Sequence, residues 1–270
     1  MSSEKYGIFG PLTDRGFSDL PKVYHDGRRL PSLLDSLGLL STPEPIKIPD
    51  KLPSISTGYK VPDEEELAIG DGKRLDLAIM FLDICGFSSW DSETEEEQKK
   101  NLLRLSLFIN SMVKIAEKMG GAVEKNTGDG LMVWFQDKSD QARGNSSDRA
   151  VEAALRMMHV NATSIKTELI SWGIPEIRFK ISIEYGPITI AKFGAAQRFS
   201  SNVAVGTKAN VANKILKFAT GGDIIIGHVA REHLSSEQLK DSFSLVTNDS
   251  GWVYRIDGAA YPIYRWALYA

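Results

Sequence analysis

Apolar and polar positions change rhythm several times along the chain. Leu77 to Leu82 is an unbroken apolar run closed by Asp83, which predicts a buried strand. Ser92-x-x-Glu95 or Thr94-x-x-Glu97 then offers a capping box. Leu102, Leu105, Ile109, Met112, Val113 and Ala116 follow at helical spacing, and Gly120-Gly121 ends that helix. Ala122 to Asn126 and Leu131 to Phe135 read as two strands joined across Thr127-Gly128-Asp129-Gly130, a hairpin signal. Ser147 is the expected cap of a second long helix, with Val151, Leu155, Met158, Ala162 and Ile165 on one face and a stop at Gly173. Arg178 to Glu184 and Ile188 to Phe193 predict two further strands. Val205 to Ala219 predicts a helix, Asp223 to Ile226 a strand and Val229 to Leu234 a short helix. Val253 to Ile256 and Ile263 to Leu268 close the series as strands. Helices and strands interleave around one sheet, so the predicted class is a mixed α/β sandwich with helices mainly on one face.

The first 74 residues follow a different pattern. Eight of the eleven prolines lie at or before Pro62. Proline fixes its own backbone and pushes its predecessor toward extended shapes. Residues 1–74 therefore predict an extended, proline-rich arm with one short helix, Leu33 to Leu40, and residues 75–270 a single domain. Phe9, Phe17, Tyr24, Leu39, Ile48, Ile55 and Tyr59 need apolar cover, so the arm is expected to wrap over the domain or a partner subunit.

Composition narrows the function classes. Hydrophobic residues at 42% and charged residues at 25% place the chain among ordinary globular proteins. The single cysteine, Cys85, rules out an intrachain disulfide and suits a reducing compartment. Basic and acidic residues number 32 and 35, so no charge excess calls for nucleic acid or anionic lipid as the partner. No apolar run approaches the roughly 18 residues of a membrane span, and Met1-Ser2-Ser3-Glu4-Lys5 does not open a secretory signal. The expected location is cytoplasmic.

Several chemistries lack their residues. There is no Gly-x-x-x-x-Gly-Lys-Ser/Thr phosphate loop and no Gly-x-Gly-x-x-Gly after a strand. His25, His159, His228 and His233 have no partners at zinc spacing and read as surface or helix-end residues. Gly221-Gly222-Asp223 reads as a turn entering a strand. Two acidic residues stand out instead. Asp83 ends a buried strand ahead of Ile84-Cys85-Gly86-Phe87-Ser88, and Asp129 sits at the tip of a hairpin. Each taken singly is ordinary strand-end or turn chemistry. Together they suit a hard cation, because magnesium is held by one or two carboxylates plus substrate phosphates. Gly86-Phe87-Ser88 leads toward a helix start, where backbone amides favour phosphate.

Three ordered segments resemble the signatures of the class III nucleotidyl cyclases. They are Phe81-Leu82-Asp83-Ile84-Cys85-Gly86-Phe87-Ser88, then Glu124-Lys125-Asn126-Thr127-Gly128-Asp129-Gly130, then Val205-Gly206-Thr207-Lys208-Ala209-Asn210-Val211-Ala212-Asn213-Lys214. The resemblance implies a ferredoxin-like cyclase domain and a homodimer with active sites at the interface. It implies two divalent cations, Mg2+ or Mn2+, held by Asp83, Asp129 and the Ile84 carbonyl. The Gly86-Phe87-Ser88 backbone would hold the triphosphate. Asn210 from the other subunit would orient the ribose, and Lys214 occupies the family's transition-state arginine position. Lys125 and Val203 fall at the base-reading positions; valine there neither donates nor accepts a hydrogen bond. The family's late phosphate-binding lysine is not evident, with Lys208 or Arg255 as candidate substitutes. The chain is most similar to the short bacterial anti-phage pyrimidine cyclases. That similarity implies conversion of UTP to cyclic UMP in antiviral defence, the product being read by a separate effector. A smaller base needs a tighter pocket, and Tyr59 in the arm is the candidate aromatic wall. Lys125 keeps an adenylate cyclase open as the alternative, and a catalytically weak cyclase-like binding module is a third reading.

Overall fold

A computed structural model of the protein describes residues 8–9, 55–57, 67–126, 129–137, 144–195, 199–254 and 256–266. The expected helix at Leu33–Leu40, Tyr59, the hairpin-tip residues Thr127 and Gly128, and Arg255 lie outside the described residues. In chain order the elements are β1 (Ile8–Phe9), β2 (Ile55–Thr57), β3 (Gly72–Ile84), α1 (Glu95–Lys118), β4 (Gly121–Asn126), β5 (Gly130–Gln136), α2 (Ser146–Val160), α3 (Lys166–Ser171), β6 (Phe179–Ala195), β7 (Phe199–Val205), α4 (Thr207–Ile215), β8 (Ile224–Gly227), α5 (His228–His233), α6 (Glu237–Asp241), β9 (Phe243–Thr247), β10 (Val253–Tyr254) and β11 (Ile263–Trp266).

Nine strands form one sheet along the path β4-β5-β3-β6-β8-β11-β9, with β2 beside β3 and β7 beside β6. The two described arm segments both join strands: β1 pairs with β10, and β2 runs parallel to the start of β3. β3 is central, antiparallel to β5 on one side and β6 on the other. Its residues alternate between two buried faces. Ala78, Met80, Leu82 and Ile84 pack with Phe108, Met112, Val151 and Met157 of α1 and α2. Leu75, Leu77 and Ile79 pack on the opposite face with Ala209 and Ala212 of α4. Burial on both faces is why this strand reads as a continuous apolar run rather than an alternation. Most helices cover the first face; α4 covers part of the second.

Of the two possible boxes before α1, Thr94 is the cap. Its Oγ1 accepts from the Glu97 amide at 3.2 Å, and the Thr94 amide donates to Glu97 Oε2 at 2.9 Å. The cap of α2 is Asn145, not Ser147: Asn145 and Asp148 exchange two bonds of 3.0 Å, while Ser147 is buried with its Oγ 3.0 Å from His233 Nδ1. The helix runs on through a π turn, Asn161–Ile165, into α3 and stops at Gly173, as expected.

The two strands expected around Gly186-Pro187 are one, β6. A proline in a strand removes a ladder donor. Here the cost is avoided because β6 changes partner at that point: β8 pairs with Ile181–Ile183 and β7 with Thr189–Ala195, leaving Pro187 between them. The apolar pattern does not predict β7, because this strand pairs with β6 alone and its Val203 and Val205 are exposed. The helix expected from Val205 therefore begins at Thr207, and α6 and β9 are additions.

Candidate active site

Asp83 is the penultimate residue of β3. Its register partners are Gly130 on β5 and Lys180 on β6. The next residue, Ile84, donates its amide to the Asp129 carbonyl oxygen at 2.8 Å. The hairpin and the central strand thus bring the two aspartates to one sheet end. Alternation puts the Asp83 side chain on the face of Ile79 and Phe81, and it is 36% exposed. Ile84 points the other way and is buried in the core, so its carbonyl remains the group it offers.

The chain then turns. Gly86 sits at φ 69°, a left-handed backbone that suits glycine, and opens a 3₁₀ turn at Phe87–Ser89. Ser89 Oγ donates back to the Gly86 carbonyl at 2.7 Å. The Phe87 ring is anchored edge-on against Trp90 at 5.0 Å and against the helical core, leaving its backbone for a ligand. Gly86 and Ser88 are exposed. The amides that open such a turn have no partner within it, which fits phosphate binding. Two clamps hold the turn. The Cys85 amide donates to the Arg178 carbonyl at 2.8 Å. Buried Arg104 of α1 lies 3.6 Å from the centre of the Trp90 ring and donates to the Glu176 carbonyl at 2.6 Å. Burial pushes the Cys85 thiol up, consistent with a small packed residue rather than a nucleophile.

Lys180 is a site residue that the sequence did not single out. Its Nζ lies 3.3 Å from Asp83 Oδ2, from the neighbouring strand and on the same face. No linear motif marks it; cross-strand register alone does.

Asn210 and Lys214 stand one helical turn apart on the exposed side of α4, whose other side carries buried Val211, Ala212 and Ile215. Lys214 Nζ lies 5.3 Å from the centre of the Trp252 ring. Val203 is exposed on β7 and pairs with Ala191, which in turn pairs with Gly72. That row is eleven residues of β3 from Asp83, about 36 Å of strand. By register Val203, Val205 and Phe193 share one face of the β6–β7 hairpin, and all three are exposed. Lys125 pairs with Met132, near the Asp83 end; its side chain lies outside the described residues. The structure therefore joins Asp83, Asp129, Ile84 and Gly86–Ser88 at one place and puts Val203 far from them in the same chain.

Lys208 does not replace the late phosphate-binding lysine. It is 2% exposed, and its Nζ lies 3.9 Å from the carboxylate of Glu184, which is itself fully buried. A lysine locked inside the fold cannot meet a triphosphate.

The donor set suits a hard cation. Two carboxylates and a carbonyl at an open strand end leave positions for water and phosphate oxygens, as magnesium prefers. Among the described residues no group of three or more His, Cys, Asp or Glu side chains is placed to hold a metal by itself.

A family model described as the adenylate and guanylate cyclase catalytic domain matches residues 72–253. The chain is 27% identical over 225 residues to an adenylate cyclase of Anabaena cylindrica, covering 81% of this chain and 41% of that protein. It is 23% identical over 180 residues to a cytidylate cyclase of Staphylococcus aureus, covering 64% and 41%. Its fold is similar to the crystal structure of the adenylyl cyclase CyaB from P. aeruginosa, with a TM-score of 0.59 and 25% identity, over 74% of this chain and 97% of that one. The chain thus spans about two fifths of the length of these curated relatives.

Proposed function

The chain belongs to the adenylate and guanylate cyclase catalytic domain family, and we propose that it converts a nucleoside triphosphate to a 3′,5′-cyclic nucleotide and pyrophosphate. The observation that supports this reading is the Ile84–Asp129 backbone bond, which brings the backbones of Asp83 and Asp129 to the same end of the sheet.

In this mechanism Asp83, Asp129 and the Ile84 carbonyl would hold two divalent cations, Mg2+ or Mn2+, which when bound would lower the pKa of the substrate 3′-hydroxyl and neutralise the phosphate oxygens. The Gly86–Ser88 backbone seats the phosphates, and Lys180 adds a positive charge beside Asp83. The hydroxyl gives its proton to solvent water, its oxygen bonds to the α-phosphorus, and the bond from that phosphorus to the pyrophosphate oxygen breaks, releasing pyrophosphate. Asn210 orients the ribose and Lys214 meets the charge that develops on the phosphate.

The site is composite in this reading, made by two copies of the chain. Val203 lies too far along the sheet to read the base of a nucleotide held at its own Asp83. The exposed row Phe193, Val203 and Val205 supports a homodimer interface.

For the base, we propose a pyrimidine, with UTP the preferred substrate and cyclic UMP an antiviral second messenger read by a separate effector. Valine at position 203 gives no hydrogen bond to a purine edge, and the similarity to a cytidylate cyclase agrees. Lys125 and the Anabaena relative favour ATP as the second reading. No helix among the described residues is long and apolar enough to cross a membrane, and a cytoplasmic location is proposed with the substrate.

Incubating the protein with ATP, GTP, CTP or UTP and Mg2+ or Mn2+, then identifying products by mass spectrometry, tests both levels. Cyclic UMP is expected. Cyclic AMP as the main product would install the second reading. No cyclic product from any of the four would overturn the activity.

A further inference from the structure

We propose that Glu184, Tyr261 and Lys208 form a buried polar anchor that positions α4, and through it Asn210 and Lys214, for cyclisation; this rests on the cyclase reading above.

Glu184 lies on β6 and is fully buried. Its Oε1 accepts from the Tyr185 amide at 2.8 Å, and its Oε2 accepts from the Tyr261 hydroxyl at 2.5 Å. The same hydroxyl accepts from the Val229 amide at 2.9 Å. Lys208, in the first turn of α4, brings its Nζ to 3.9 Å from Glu184 Oε1 and 5.6 Å from the centre of the Tyr261 ring. Among the described residues the ammonium has no hydrogen-bond partner. Burial drives the Lys208 pKa down while the Glu184 carboxylate opposes that fall, and Tyr261 is pushed well up.

Two glycines clear the space. A Cβ at Gly186 would sit 2.8 Å from Lys208 Cε, and one at Gly227 would overlap Glu184 Oε2. Four segments thus converge on one carboxylate: β6, α4, the β8–α5 junction and the stretch before β11. For stability alone this is a poor arrangement, since a buried ion pair is often matched or bettered by apolar residues of the same volume. What it does supply is direction. A charge pair fixes where the first turn of α4 sits, whereas Ala209 and Ala212 present small apolar surfaces that can slide. Lys208 is two residues before Asn210 and six before Lys214, on a helix of nine residues. A shift at its first turn moves both exposed side chains. The Ser182 hydroxyl, donating to the Ala212 carbonyl at 2.6 Å, is a second tie from β6 to this helix.

The test is the double variant Glu184→Gln with Lys208→Met in the full chain, which removes both charges and keeps the side-chain shapes. The expected result is a roughly tenfold or greater fall in kcat with KM changed less than about twofold. Amide exchange over residues 207–215 should quicken while residues 179–183 hold their protection. If the double variant does not fold, Tyr261→Phe, which deletes one hydroxyl, is expected to give the same selective loss of kcat. Unchanged kcat or unchanged exchange over 207–215 would each overturn the anchor. A parent chain that makes no cyclic nucleotide would sink the cyclase reading instead, and exchange over α4 would then decide the anchor by itself.

Discussion

The amide of Ile84 donates to the carbonyl oxygen of Asp129 at 2.8 Å, tying the end of the central strand to the tip of a hairpin forty-six positions beyond Asp83. One backbone bond, with Asp83 opposite Gly130 in register, converts two separate aspartates into neighbours. Asp83→Ala and Asp129→Ala are each expected to cost about a thousandfold or more in kcat. Circular dichroism should be unchanged, since neither side chain belongs to the core. Turnover retained by either variant would remove the cation assignment.

Lys180 faces the same carboxylate at 3.3 Å. If it meets substrate phosphate, Lys180→Ala should raise KM about tenfold, roughly 1.4 kcal/mol of binding, and Lys180→Arg should recover most of it. An effect on thermal midpoint without an effect on KM would make it a partner of Asp83 alone.

If two copies of the chain make the site, as proposed, complementation becomes possible. Asp83→Ala and Lys214→Ala homodimers are each expected to be nearly inactive. Mixed and allowed to exchange, half the dimers pair one of each, and each such dimer holds one intact site of two. Activity should rise to roughly a quarter of the parent value. No recovery on mixing would place both residues in the same half-site.

His228 and His233 both have pKa values pushed below the ordinary histidine range by burial. His233 lies flat against Tyr185 with ring centres 3.6 Å apart, with Asp137 at 3.5 Å and Ser147 at 3.0 Å; Asp76 and Asp148 also face it. Below about pH 6.5 the unfolded chain takes up protons that the folded chain excludes, so stability falls as pH drops through that value and keeps falling to the folded pKa. The thermal midpoint should decrease from pH 7.5 to 5.5, and His233→Gln should shrink that decrease. An equal decrease in the variant would discount this residue.

Gly227→Ala is expected to destabilise the fold by about 2–3 kcal/mol, or roughly 5–10 °C in midpoint, because its Cβ would collide with Glu184. A midpoint within 1–2 °C of the parent, by the same scaling, would mean that Glu184 has room to move.

What could be read from the sequence was local. The β3 run declares itself because both its faces are buried, and the Thr94–Glu97 box because caps are short-range chemistry. The two aspartates stood out because a buried strand and a hairpin tip are recognisable within a few residues. Register is what could not be read. Lys180 becomes a site residue only by lying across from Asp83, ninety-seven positions away. Lys208 reads as a candidate phosphate-binding lysine until Glu184 is seen beside it in the interior. β6 was split because Pro187 signals a break, and nothing nearby in the chain tells that the strand on its far edge changes at that point.

The unbroken course of β6 has a thermodynamic corollary. One end bears Lys180 beside Asp83, and the other bears Phe193 in the exposed apolar row. If a second chain must seat on that row to complete the pocket, nucleotide and subunit become mutual effectors. Whatever factor dimerisation adds to nucleotide affinity, nucleotide must then add to dimer affinity, so the cohesion of such a pair would rise and fall with the nucleotide supply.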